Sequence, residues 1–222
     1  MSSNKSPKII TKIRKQFQTS CHKGVILGYK AMLSNPTGFK QWKENKISRR
    51  LLYEMKNFLT TKNIIAGLEA SLDDDEILFG DKEAEEADRI DFVFSHNWRR
   101  KIRFEYHGEA KNLSSKTWKK ADGPKVDASK YRGRYITTGI EHLIFGKYAE
   151  LDGFLIGYVV NGSAKENVTA LNKLIKSRAL PPKVGLIENK HTIKNHTECY
   201  ISNNIKEKEN ILLQHIFLEF DK

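Results

Sequence analysis

The chain has little cysteine: Cys21 and Cys199 are the only two among 222 residues, too few for a disulfide framework. Its five prolines and 14 glycines do not gather into a Pro/Gly/Ser linker, and no internal repeat is visible. One domain with one substantial core is therefore expected. No apolar run is long enough to span a bilayer and no charged-then-apolar leader is seen, so the reading is a cytoplasmic protein without a membrane partner. A GxSxG elbow and a GxxxxGK(S/T) loop are both missing, which removes the anchors for a serine hydrolase or a P-loop ATPase. Zinc is weakly supported. His191, His196 and Cys199, with Cys21 and His22 remote in sequence, lack the paired CxxC units of zinc sites, and satisfied or exposed histidines are the expectation.

What the chain has in excess is positive charge. Against a formal net charge of +12, the segment 71–91 holds ten acids and two bases, leaving 37 bases and 17 acids elsewhere. A surface that basic favours polyanions, whose binding weakens steeply with salt. The densest block is Lys116, Lys119, Lys120, Lys125, Lys130, Arg132 and Arg134, interleaved with Trp118 and Tyr131, aromatics able to stack on nucleobases. The acidic run 73–88 lacks the spaced oxygens and glycine of a calcium loop and reads as a solvated segment, as a mimic of nucleic acid that covers a basic groove, or as a dock for a basic partner.

Periodicity supplies the elements. From Ile47 to Leu59 apolar residues recur at helical spacing. A first strand is expected between Ile64 and Phe79, and two more around 89–94 and 102–111. An aromatic-rich helix, 128–148, follows, then a continuous apolar strand from Gly153 to Val160. Asn161, Gly162 and Ser163 give a turn and a cap for a helix over 164–177, which Pro181 and Pro182 terminate. Strands around Cys199–Ile201 and Ile211–Phe220 close the chain. A strand, a crossover helix and another buried strand imply an α/β fold with a central mixed sheet flanked by helices. Residues 1–44 read as a basic N-terminal arm or helical extension, and 45–222 as the main domain.

The chemistry sits on the second and third strands. Side chains alternate along a strand, so Glu109 and Lys111 share a face while Ala110 offers its backbone carbonyl. With Asp91 on the preceding strand, three oxygens and an ammonium can converge. Hard divalent cations take such oxygen ligands. His107 and Glu105 share the face of Glu109 and Lys111 and are candidates to touch substrate or tune a ligand, beside the plainer reading of a packed strand histidine.

Asp91, Glu109 and Lys111 in this order resemble the motif of the PD-(D/E)xK nuclease superfamily, the restriction-endonuclease-like fold, with Ile90 where the motif's name has proline. As a pattern of elements the resemblance covers 47–220, with motif identity at those three residues. It implies a restriction-endonuclease-like core and a metal-dependent endonuclease that hydrolyses DNA phosphodiester bonds. Asp91, Glu109 and the Ala110 carbonyl would hold Mg2+ or Mn2+, with Lys111 positioning or helping to deprotonate the attacking water. Members often carry an extra acid on the first helix, which makes Glu54 a candidate outer ligand. The resemblance also suggests the effector of a restriction or antiphage defence system working with an ATPase or another subunit, on DNA ahead of RNA, with a homodimer as one way to cut both strands. Two other readings stay open: a non-catalytic nucleic-acid-binding or structural subunit of a defence complex, and an RNA-directed effector held off until a partner releases it.

Overall fold

The computed structural model describes residues 7–35, 38–71, 89–98, 102–121, 123, 125–145, 152–178, 184–206 and 209–221. Among the described residues a seven-stranded mixed sheet runs through the middle, in the order β1-β2-β3-β6-β9-β8-β7. Its strands are β1 (Ile65–Ser71), β2 (Arg89–Trp98), β3 (Ile102–Ser114), β6 (Gly153–Asn161), β7 (Ile187–Ile193), β8 (His196–Lys206) and β9 (Glu209–Glu219). The short pair β4 (Trp118–Lys119) and β5 (Lys125–Val126) stands apart from it. Pairing is parallel for β3 with β6 and for β6 with β9, and antiparallel elsewhere.

Helices cover both faces. On one side lie α1 (Pro7–Ser34) and α2 (Glu44–Thr60), whose Cys21, Val25, Ile26, Met32, Leu51 and Met55 pack with Phe92, Phe154, Ile156 and Tyr158 of the sheet. On the other lies a helical run of α3 (Ala128–Arg134), a π-helical turn (Tyr135–Ile140) and α4 (Glu141–Ile144), together with α5 (Ala164–Ser177). Their Ile136, Ile140, Val168 and Leu171 pack with Leu113, Leu155, Val159 and Phe217. Strand β6 is thus buried on both faces, as its unbroken apolar run requires.

Local chemistry explains the boundaries. Asp127 caps α3 by accepting from the Ser129 and Lys130 backbone N–H groups. Ser163 and Glu166 form a reciprocal capping box on α5, entered through Gly162 at φ 75°. Helix α5 spans the expected 164–177. The first strand is found inside the expected window, and the elements α2, β1, β2, β3, α3 to α4 and β6 follow in the expected order.

Residues 7–34, read as a basic arm or helical extension, form a long helix whose apolar stripe packs in the same core as α2 and the sheet. Two features depart from the expectation. Strand β7 is additional: its polar sequence, paired only to β8 at the sheet edge, carries little hydrophobic signal. The aromatic helix passes through a π turn. Tyr148, Pro181, Pro182 and the acidic run 73–88 lie outside the described residues. No helix among the described residues is long and apolar enough to cross a membrane.

Candidate active site

Strands β2 and β3 pair from Trp98↔Ile102 to Phe92↔Gly108. One residue further the ladder gives way to a side-chain contact, in which Asp91 Oδ2 accepts the Ala110 backbone N–H at 2.8 Å. Past this point β3 runs on beside its parallel partner β6, with Glu109 opposite Leu155 and Lys111 opposite Gly157. That fork holds Asp91, Glu109, the Ala110 carbonyl and Lys111 together.

Lys111 is the hub. Its Nζ donates to Glu109 Oε1 and, at 3.0 Å, to the Ala110 carbonyl. Asp91 Oδ2 stands 3.6 Å away and Glu44 Oε1 3.9 Å. Glu44, the first residue of α2, is the acid that sequence reasoning overlooked. Its Oε2 accepts the Asn112 backbone N–H at 2.7 Å, and Arg134 approaches its Oε1 to 3.6 Å. An acid at the start of a helix is common for dipole reasons alone. The informative signal lay in the stripe: Leu59, Met55 and Leu51 continue backwards to Ser48 and Glu44, so two polar residues lie on a buried face. Ser48 meets the Tyr158 hydroxyl of β6 at 2.9 Å, fixing that end of α2 to the sheet.

Glu54, the acid proposed from sequence, stands about 15 Å farther along α2. Its carboxylate is held by Arg50 one turn earlier at 2.5 Å. The structure does not bring it to the fork. Glu105 pairs with Arg103 at 2.5 Å, also away from Lys111. His107 is buried on the strand and its Nδ1 lies 3.2 Å from the Asp152 carbonyl, the packed-histidine arrangement. Burial lowers its pKa, so it is neutral at pH 7.

Three carboxylates around one ammonium leave negative charge in excess. Burial, reinforced by Asp91, lifts the Glu109 carboxyl to about 8 despite the opposing pull of Lys111. Burial also raises Glu44. For Lys111 burial acts to lower the pKa, but Glu109, Asp91 and Glu44 together hold it above the usual lysine value. Glu109 Oε2 is buried without a hydrogen-bond partner among the described residues. Such an orphaned carboxylate oxygen is costly. A divalent cation would give it a partner, and Asp91, the Ala110 carbonyl and Glu44 are further oxygens of the kind a hard cation takes. As the side chains stand, no group of three or more His, Cys, Asp or Glu among the described residues is arranged to hold a metal ion.

A pH effect follows. A raised carboxyl pKa means the folded state binds the Glu109 proton more tightly than the unfolded state, so stability falls as pH rises towards about 8. Buried neutral histidines such as His22 and His215, lowered by burial from 6.5, act oppositely and only below that value. In EDTA the melting temperature is therefore expected to fall between pH 6.5 and 8, and Glu109→Gln to remove most of the slope. Equal slopes in the two proteins would contradict this assignment.

The π turn closes the site from the other helical layer. A Cβ at Gly139 would stand 2.7 Å from Leu155 Cδ2 and 3.8 Å from Lys111 Cγ, so glycine permits the close approach. π turns are frequent at functional sites.

The basic block divides into two sets. Lys116, Lys119, Lys125 and Lys130 are exposed. Arg132 instead donates to the Ser114 carbonyl at 3.0 Å, and Lys120 to the Gln41 and Trp42 carbonyls at 2.7 and 3.3 Å. Burial, followed by nearby Lys43, lowers the Lys120 pKa. Trp118 is half-buried, with Lys40 5.0 Å from its ring centre. Arg134 reaches the site through Glu44. Away from this region, the histidines weighed for zinc have other contacts: His196 Nε2 lies 2.8 Å from the Phe217 carbonyl and His22 Nε2 2.9 Å from the Tyr106 hydroxyl.

The chain matches no family model. No curated protein and no solved structure shows significant similarity to it either. The functional reading therefore rests on the site's own chemistry.

Proposed function

We propose that the protein is a metal-dependent nuclease that hydrolyses phosphodiester bonds, with a restriction-endonuclease-like core. The observation that carries this reading is the fork of β2 and β3, where Asp91, Glu109 and the Ala110 carbonyl surround Lys111 and one Glu109 oxygen is buried with no hydrogen-bond partner among the described residues. Glu109, Asp91, the Ala110 carbonyl and Glu44 would hold magnesium or manganese. When bound, that ion neutralises charge on the phosphoryl oxygens and lowers the proton affinity of water.

The remaining work belongs to the chain. Lys111 stays protonated, because the acids around it outweigh its burial. It therefore acts as a donor that orients the attacking water and offsets charge developing on phosphorus, rather than as a base. The Ala110 N–H fixes one Asp91 oxygen, and the Asn112 N–H fixes one Glu44 oxygen, so both carboxylates are positioned before substrate arrives. Exposed Lys116, Lys119, Lys125 and Lys130 follow the site directly in the chain and supply charge for a phosphate backbone. DNA is the proposed substrate. The effector role in a defence system, and the separate ATPase or other subunit, are part of the same proposal.

The test is incubation of wild type and Glu109→Ala with supercoiled plasmid, linear duplex and single strands, in magnesium, manganese or EDTA. Cutting by the wild type that needs metal and falls at least a thousandfold, of order 4 kcal/mol in barrier, in Glu109→Ala is expected. Undiminished cutting by Glu109→Ala would overturn the assignment. Silence of the wild type with nucleic-acid binding intact would favour a binding subunit.

A further inference from the structure

A second basic feature lies away from the candidate site. Along α1, Lys8, Lys12, Lys15 and Lys23 recur at i, i+4, i+7 and i+15, which places them on one stripe of the helix. The stripe forms one wall of an open groove of about 770 Å³. The far wall is Phe58 and Lys62, from the C-terminal end of α2 and the turn after it, and Lys194 in the β7–β8 turn. Among the described residues six lysines line this groove and no carboxylate does. Lys30, one step further along the stripe, donates to the Lys194 carbonyl at 2.7 Å and ties the two walls together.

We propose that this groove is a nucleic-acid-binding exosite that grips the phosphate backbone without reading sequence. Charge complementarity selects a polyanion. The Thr19 and Ser20 hydroxyls donate to the helix's own Lys15 and Gln16 carbonyls at 2.8 and 2.9 Å, so directional donors are few and ammonium charge carries recognition. Lysines 8 to 23 extend over about 22 Å of helix. Duplex DNA presents a negative charge about every 1.7 Å of its axis, so a stripe of this length meets phosphate charge whatever the base sequence. An acidic peptide would have to match the lysine spacing. A membrane surface would meet charge alone, since the apolar stripe of α1 is committed to the core.

Glu44 and Phe58 lie at opposite ends of α2, about 21 Å apart along its axis. The exosite is thus distinct from the block 116–134 and would hold nucleic acid at a distance from the fork. It rests on residues that the nuclease reading does not use.

The experiment measures binding in the Glu109→Ala protein with EDTA, using a fluorescein-labelled duplex over a range of salt. Neutralising Lys12, Lys15 and Lys23 to glutamine should weaken binding at least tenfold. It should also flatten the plot of log affinity against log salt by about 0.9 for each lysine lost. Lys62→Gln with Lys194→Gln, on other elements, should act in the same direction and serves if the α1 variant melts early. Unchanged affinity and slope in both variants would overturn the exosite. So would loss of binding only to phosphatidylserine vesicles, or only to a peptide of residues 72–88. Cleavage plays no part in this readout, so failure of the nuclease assignment would leave it standing.

Discussion

Replacing Lys111 by methionine is expected to destabilise the protein by about 3 to 5 kcal/mol in EDTA at pH 8, the usual cost of stripping a buried ion cluster of one partner. The Lys111 side chain is 7% exposed and its ammonium stands among Glu109, Asp91 and Glu44. Without it three carboxylates face one another in a poorly solvated fork, where Arg134, nearly half exposed, reaches Glu44 at 3.6 Å. Lowering the pH should recover stability as the acids protonate. Millimolar magnesium should recover it at pH 8, because a cation held by the same oxygens replaces the lost charge. Thermal melts with and without magnesium read both effects. A Lys111→Met protein that melts like wild type in EDTA would remove the cluster from the stability account. One that is weakened yet indifferent to magnesium would leave the cluster a structural ion pair rather than a metal site.

The second large effect is expected at Glu44. Glu44→Gln keeps an oxygen to accept the Asn112 N–H and so preserves the helix start, while removing the charge that faces Lys111. If Glu44 completes the cation site, the magnesium concentration for half-maximal cleavage should rise tenfold to a hundredfold, the range typical of groups that support a metal site. Glu54→Gln should leave that titration unchanged, because Glu54 is engaged by Arg50 one turn away along the same helix. A magnesium titration of plasmid cleavage separates the two. An unaltered curve for Glu44→Gln would restrict the site to the strand residues.

The contrast between Glu54 and Glu44 shows what was legible in the chain. Periodicity placed the apolar face of α2, and Glu54 stood beside it. Which polar residue meets the motif strands depends on where the helix starts relative to β3, a tertiary fact. The strand motif was readable because alternation along β3 puts Glu109 and Lys111 on one face in any sheet. Gly153 to Val160 and the helix 164–177 were readable because burial on both faces and a capping box leave local signatures. Strand β7 had none, since a half-paired edge needs few apolar residues. The helix over 128–148 was readable from its aromatic content, but nothing in the sequence marks the switch to π hydrogen bonding at Tyr135–Ile140.

The way α1 is seated bears on how the protein is made. Tyr29 donates to the Glu219 carbonyl at 2.6 Å across 190 positions of chain, and its ring meets Phe220 edge-on. At about 5 to 20 residues per second, the ribosome needs roughly 10 to 40 seconds to deliver that partner after Tyr29 emerges. Through that interval Phe17, Cys21, Val25, Ile26 and Met32 have no finished sheet to cover them. Synthesis from the amino end therefore leaves this core open until β9 has been made.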